Sequence, residues 1–103
     1  MCSDMLEKDI EARVVKYAKR NGYIVRKMNG AGANHWPDRG FWGPNNNHFF
    51  IEFKRVGGVL SPGQDAMISD LRGIGVVVYV CNDVGKGLAI IDAEAEKHGR
   101  KTY

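Results

Sequence analysis

Between residues 6 and 20 the apolar side chains Leu6, Ile10, Val14, Tyr17 and Ala18 recur at three- and four-residue intervals, the stripe of a helix lying on a core. The helix is expected to start at Ser3 or Asp4, either of which can accept first-turn N–H groups, and to stop at Asn21-Gly22. The pattern then changes to alternation. Tyr23 to Met28 predicts a strand with Arg26 and Met28 on the face opposite Val25 and Lys27. Arg39-Gly40-Phe41-Trp42 and His48 to Lys54 predict a hairpin turning through Gly43-Pro44-Asn45-Asn46-Asn47. A second helix opens with Ser61 as cap and Pro62 at its first position, carries Met67, Ile68 and Leu71 inward, and ends at Gly73 or Gly75. The continuous apolar run Val76 to Cys81 predicts a strand covered on both faces. Asn82 to Gly87 reads as a turn, Leu88 to Ile91 as a last strand, and Asp92 as the cap of a short charged helix. The expected order is α-β-β-β-α-β-β-α, an α/β fold with a central mixed β-sheet flanked by helices.

At 103 residues the chain has the length of a single domain with one modest core, expected over residues 7–92, with a frayed tail at 97–103. No apolar run is long enough to span a bilayer and no charged-then-apolar leader is evident, so the expected location is cytoplasmic, with no membrane partner. Cys2 and Cys81 are far apart and have no histidine at ligand spacing, which argues for free thiols and against structural zinc. A net charge of +3 leans towards an anionic partner but does not by itself select one. Lys16, Lys19 and Arg20 near the end of the first helix either complement its dipole or meet a DNA backbone; Arg13 adds to the same charge. The loop Asn29-Gly30-Ala31-Gly32-Ala33-Asn34 is glycine-bearing but lacks the Gly-Lys-Ser/Thr of a P-loop, and His35 after it is a lone loop histidine.

The chemistry is concentrated between Pro37 and Gln64. On a strand, Phe50, Glu52 and Lys54 share one face and Phe49, Ile51 and Phe53 the other, so an acid and a base stand side by side. If Asp38 begins the partner strand, its carboxylate comes within reach of Glu52. Two carboxylates whose only counter-charge is one lysine are unfavourable without a bound cation, and a divalent metal is the natural candidate. The alternative is a buried salt-bridge cluster.

Taken in order, Asp9-Ile10-Glu11, Pro37-Asp38-Arg39, Phe50-Ile51-Glu52-Phe53-Lys54, Leu60-Ser61-Pro62-Gly63-Gln64 and Leu71-Arg72-Gly73-Ile74-Gly75 before Val78-Tyr79-Val80 resemble the virus-type replication-repair nuclease (VRR-Nuc) family of the PD-(D/E)XK nuclease superfamily, which has a restriction-endonuclease-like fold. The likeness runs from about Glu7 to Asp92. A bare Asp…Glu-X-Lys occurs by chance; the ordered set on matching elements is far more specific. Phe53 stands where the family often has leucine, and His35-Trp36 where it commonly has small or β-branched residues.

The resemblance implies a hydrolase, a metal-dependent DNA endonuclease using Mg²⁺ or Mn²⁺ and no organic cofactor. Asp38 and Glu52, the carbonyl of Phe53 and waters would hold the ion, with Glu11 reaching it directly or through water and Glu7, one turn earlier, as the alternative acid. Lys54 would hold the attacking water or a phosphoryl oxygen, and Gln64 would position Lys54 or the nucleophile. Arg39 and Arg55 beside these residues, and Arg26 and Lys27 on the neighbouring strand, are the candidate phosphate contacts. Small stand-alone members resemble Holliday-junction resolvases, which implies a homodimer acting on branched DNA, four-way junctions above all, in phage or bacterial replication and repair. The first helix and Phe41-Trp42 are candidate interface material. A general or restriction-like duplex endonuclease, a non-catalytic nucleic-acid-binding module and a structural assembly protein remain open.

Overall fold

The alternation along the most apolar strand places helices on both sides of one sheet. In the computed structural model, which describes residues 6–30, 32 and 34–99, the elements run α1 (Glu7–Arg20), β1 (Ile24–Lys27), β2 (Arg39–Trp42), β3 (His48–Phe53), α2 (Pro62–Gly73), β4 (Val78–Cys81) and α3 (Val84–Lys97). Phe49, Ile51 and Phe53 of β3 point to a core shared with Ile10, Val14, Val15 and Ala18 of α1 and Ile91 of α3. Phe50 points the other way, to Ile68 and Leu71 of α2 and Val78 of β4. Two apolar layers therefore sit back to back on β3, and Glu52 and Lys54 belong to the α2 side by the same period of two.

The sheet order is β1-β2-β3-β4, antiparallel between the first three strands and parallel between β3 and β4. Asn45 and Asn46 turn the β2–β3 hairpin with φ of 62° and 64°, a left-handed backbone that asparagine tolerates, and Gly43 N–H donates to the carbonyl of Asn47. The buried Asn47 amide donates to the Tyr23 hydroxyl at 2.5 Å, tying the turn to the end of α1. Phe41 is wholly buried and stacks on Phe49 at 5.0 Å, while Trp42 packs against His48 and Phe50. Phe41 is thus used inside the fold, and the half-buried Trp42 packs along the β2–β3 hairpin.

Three expectations change. Leu88 to Ile91 is not a strand: it lies within α3, which begins at Val84 behind the cap Asp83, whose carboxylate accepts the Lys86 N–H at 3.0 Å. Val84, Leu88, Ile91 and Ala95 fall at helical spacing, and a four-residue apolar window was too short to separate the two periods. Asp92 accordingly sits mid-helix, where it accepts from the Tyr17 hydroxyl at 2.6 Å. Nor is β4 covered on both faces; it is an edge strand, and Val80 is 42% exposed. The described part of α1 begins at Glu7 with Leu6 at the cap position and no side-chain cap; Ser3, Asp4 and Cys2 lie outside the described residues. Glu94 of α3 is buried but accepts from the Tyr79 hydroxyl and from Lys97. Among the described residues no helix is long and apolar enough to cross a membrane.

Helices α1 and α3 meet where Gly87 faces Val14: a Cβ at residue 87 would lie 2.3 Å from Val14 Cγ2 and 3.2 Å from Cys81 Sγ. Alanine normally gains up to about 1 kcal/mol over glycine in a helix, but overpacking costs about 1–3 kcal/mol and prevails against a buried, branched neighbour. Gly87→Ala should therefore lower the melting temperature. Gly73→Ala, which meets nothing within 4 Å, should raise it. The opposite ranking in thermal unfolding would refute this packing.

Candidate active site

The β2–β3 register sets Arg39 opposite Ile51, and one step further along the same ladder brings Asp38 to the strand end across from Glu52. Asp38 is locked there. Its Oδ2 accepts the Phe53 N–H at 2.8 Å, its Oδ1 accepts from Asn29 Nδ2 at 2.5 Å, and its own carbonyl accepts the Met28 N–H. Beside it, Lys54 continues the pairing of β3 with β4 by donating its N–H to Cys81. Helix α2 then supplies the link between the acid and the base. Gln64 Oε1 accepts from Lys54 Nζ at 2.9 Å and from Ser61 N–H at 2.9 Å, and its Nε2 donates to Glu52 Oε2 at 3.1 Å. With two donors on its oxygen, the Gln64 amide has one orientation. Ser61 Oγ in turn accepts the Gln64 N–H, completing a capping box, so the turn that starts α2 also fixes the site.

Glu52 is 1% exposed, and among the described residues its ion-pair partner is Lys54, at 3.4 Å from Oε2. Its Oε1 is buried with no hydrogen-bond partner. Burial, and next the charge of Asp38, push the Glu52 carboxyl up to about 7 against the pull of Lys54. Burial also raises Asp38, aided by the charge of Glu11 and opposed first by the Phe53 N–H. Glu7 is raised as well, by burial and then by Asp38, with Glu11 adding to it. Four carboxylates thus bear on one another, and each of these three titrates above its usual range.

The remaining candidates are placed as follows. Glu11 pairs with Arg39, Nε to Oε2 at 2.5 Å, so the first-helix acid and the nearest phosphate-contact candidate hold each other. Glu7 couples to Asp38, Lys54 and Glu11. Phe53 keeps its ring in the core and gives its N–H to Asp38. Arg26, Lys27 and Arg55 are exposed, the first two on β1 beside β2. Asn29, and the box that ties the candidate Gln64 to the cap Ser61, are not found from the sequence. Asn29 carried no signal beyond its place in a glycine-bearing loop. The Ser61–Gln64 box did carry one, since Ser-x-x-Gln is a capping-box spacing. His35 has φ of 71° and lays its ring over Gly63, where a Cβ would meet the ring at 2.5 Å; the loop leading to Asp38 thereby rests on the first turn of α2.

The donor set suits a hard divalent cation: carboxylate oxygens, one of them buried and unpartnered among the described residues, with proton affinities raised first by burial and then by neighbouring acids. Among the described residues no group of three or more His, Cys, Asp or Glu side chains is placed to hold an ion by itself. A cation held by Asp38 and Glu52 would keep several waters, as Mg²⁺ usually does with one or two carboxylates.

The raised Glu52 fixes a sign. Its folded value, about 7, lies above the ordinary 4.5, so its contribution to stability is fully present below pH 4.5 and is lost as pH rises through 7. At about 1.4 kcal/mol per unit, the loss is at most about 3.5 kcal/mol. Metal-free Glu52→Gln should therefore unfold at a higher temperature than wild type at pH 8, with a flatter stability profile between pH 4.5 and 7. Added Mn²⁺ should stabilise wild type and leave the variant unmoved. A variant less stable than wild type at pH 8, or one stabilised equally by Mn²⁺, would contradict the repulsion described here.

Comparison with known proteins bears on this arrangement. A family model, the VRR-NUC domain, matches residues 3–84. A solved structure described as a VRR_NUC domain superposes with a TM-score of 0.75 at 22% identity, covering 82% of this chain and 92% of that one; at this identity the likeness speaks for the fold. No curated protein matches the chain. The chain belongs to the VRR-NUC domain family, nucleases of the PD-(D/E)XK type.

Proposed function

We propose that this protein is a divalent-metal-dependent endonuclease that hydrolyses phosphodiester bonds in branched DNA, four-way junctions above all, and acts as a homodimer. The observation that carries the catalytic part is the Glu52–Lys54–Gln64 network beside Asp38: a buried carboxylate with one unpartnered oxygen, next to an amine held by a helix-borne amide. Asp38 and Glu52 would hold Mg²⁺ or Mn²⁺, and the ion would supply positive charge against the phosphate and acidify water. The rest of the work falls to the chain. Lys54 has three N–H donors; Gln64 and Glu52 orient the amine, and the remaining donor capacity is available to a phosphoryl oxygen or the attacking water. Gln64 keeps that amine from turning to bulk solvent, because Ser61 N–H holds its oxygen in place. Asn29 and the Phe53 N–H keep Asp38 aimed while it is ionised.

The dimer and the branched substrate rest on size and on the sheet edge. One domain of this size leaves little surface to clasp a junction, and a two-fold pair matches a two-fold substrate. Edge strand β4 exposes Val80, with Val77 just before it and the 79%-exposed Ile74 close by in sequence, and such an apolar edge favours pairing with a second copy over solvent. The expected setting is bacterial or phage replication and repair, in the cytoplasm.

Cleavage of labelled four-way junction, flap, single strand and linear duplex with Mg²⁺ or Mn²⁺ separates the substrates, and cutting of plain duplex at least as fast as the junction would replace this reading with a general endonuclease. Asp38→Asn and Lys54→Ala should each reduce cleavage by about 10²-fold or more. Lys54→Ala should still be stabilised by Mn²⁺; undiminished cutting by that variant would remove Lys54 from the chemistry. Light scattering that shows a strict monomer both free and on DNA would end the dimer proposal.

A further inference from the structure

Away from the α2 side, an open groove of about 320 Å³ is lined by Arg13, Lys16, Tyr17 and Arg20 of α1 and by Val84 and Leu88 of α3. No acid lines it. Arg13 and Lys16 are exposed and form no ion pair among the described residues, while the Arg20 guanidinium lies 5.3 Å from the Tyr17 ring centre. The Tyr17 hydroxyl donates to Asp92, which fixes the ring as a wall of the groove.

Complementing the helix dipole does not explain all of these charges. That effect is confined to the last turn, which holds Lys19 and Arg20; Arg13 and Lys16 lie upstream of it. Arg13, Lys16 and Arg20 instead recur at three- and four-residue spacing, one row of cations along a single helix face. From first to last the row covers about 10 Å at 1.5 Å per residue, close to three base-pair steps of a duplex. Val84 and Leu88 give it an apolar side suited to sugar carbons. A linear row of cations over an apolar wall fits a polymer of phosphates better than a compact anion.

We infer that this groove is a second DNA contact, holding the phosphodiester backbone of a duplex arm away from the bond being cut. The choice of polyanion rests on the nuclease reading of the site. The connection between the two is α1 itself: its first turns carry Glu7 and Glu11 to the carboxylate cluster and its later turns carry the cation row, so an arm laid along the helix is registered against the scissile position.

The test is the salt dependence of binding. Affinity of wild type and of the Arg13→Gln, Lys16→Gln double variant for a labelled four-way junction is measured by anisotropy in EDTA over a salt series, so that no cutting intervenes. Loss of two phosphate contacts should make the slope of log K against log salt shallower by about 2 and weaken binding severalfold at low salt. An Ala66→Glu, Ser69→Glu double variant makes the same change in net charge at exposed positions of α2, and it should keep the wild-type slope. An unchanged slope in the groove variant, or an equal loss in the control, overturns the inference. The two readings fail differently. Wild type that binds DNA but never cuts with Mg²⁺ or Mn²⁺ defeats the nuclease proposal while the slope still decides the groove. Wild type that cuts normally while the groove variant keeps its slope defeats the groove alone, and wild type with no DNA affinity defeats both.

Discussion

The carboxylate of Glu52 is held where a carboxylate is unfavourable, and much of the surrounding structure serves to keep it there. It is buried on the α2 side of the sheet, near a second acid, with one oxygen unpartnered and a single lysine to offset it. A solitary misplaced charge would move or take up a proton. This one cannot move, because β3 is clamped between β2 and β4 and its odd-numbered neighbours Ile51 and Phe53 are fully buried in the opposite core. The apolar packing of one face thus supports electrostatic strain on the other. That is the arrangement expected of a cation site whose folding energy comes from elsewhere.

Position follows from the same strand. Glu52 and Lys54 lie where β3 ends beside its only parallel neighbour, and α2 follows β3 directly and returns to pack under β4. In open sheets with helices on both faces, such carboxyl ends of strands are where ligands bind, since the adjoining loops and helix N-termini converge there. Here the converging parts are the first turn of α2, with Ser61 and Gln64, and the 29–38 loop, with Asn29 and Asp38. The contact of His35 with Gly63 joins these two parts. A side chain at residue 63 would have to displace the ring, so glycine at that position serves close approach and not backbone freedom.

Legibility in the sequence tracked the range of the interaction. The acid-base pair on β3, the hairpin and its asparagine turn, and the inward face of α2 all depend on neighbours two to four residues apart, and each could be read from spacing alone. The Ser61–Gln64 box is equally local, and its Ser-x-x-Gln spacing carries the signal that a cap and a separate polar group do not. The α3 stripe escapes for a different reason: Leu88 to Ile91 spans barely one helical turn, and the helical period shows only when Val84 and Ala95 are taken with it. The edge position of β4 follows from strand order, which no local pattern contains. The Glu11–Arg39 pair, 28 residues apart, and the coupling of Glu7 to Asp38 exist only once α1 has docked on the sheet.

Charge distribution gives the formal total of +3 a different meaning once the fold is known. Glu7, Glu11, Asp38 and Glu52, four of the twelve acids, bear on one site, where the ion they attract would neutralise part of their charge. The surface left to meet a polyanion is then more positive than the total suggests. Helix α1 shows the division within fourteen residues, with acids in its first turns and Arg13, Lys16, Lys19 and Arg20 in the later ones. Before an ion binds, the acids of the proposed site would repel a phosphate backbone while the cations of α1 would attract it a short distance away. Attraction at the groove and rejection at the empty carboxylate cluster would make tight engagement of the scissile bond conditional on the ion, so that binding and readiness to cut are joined through a single helix.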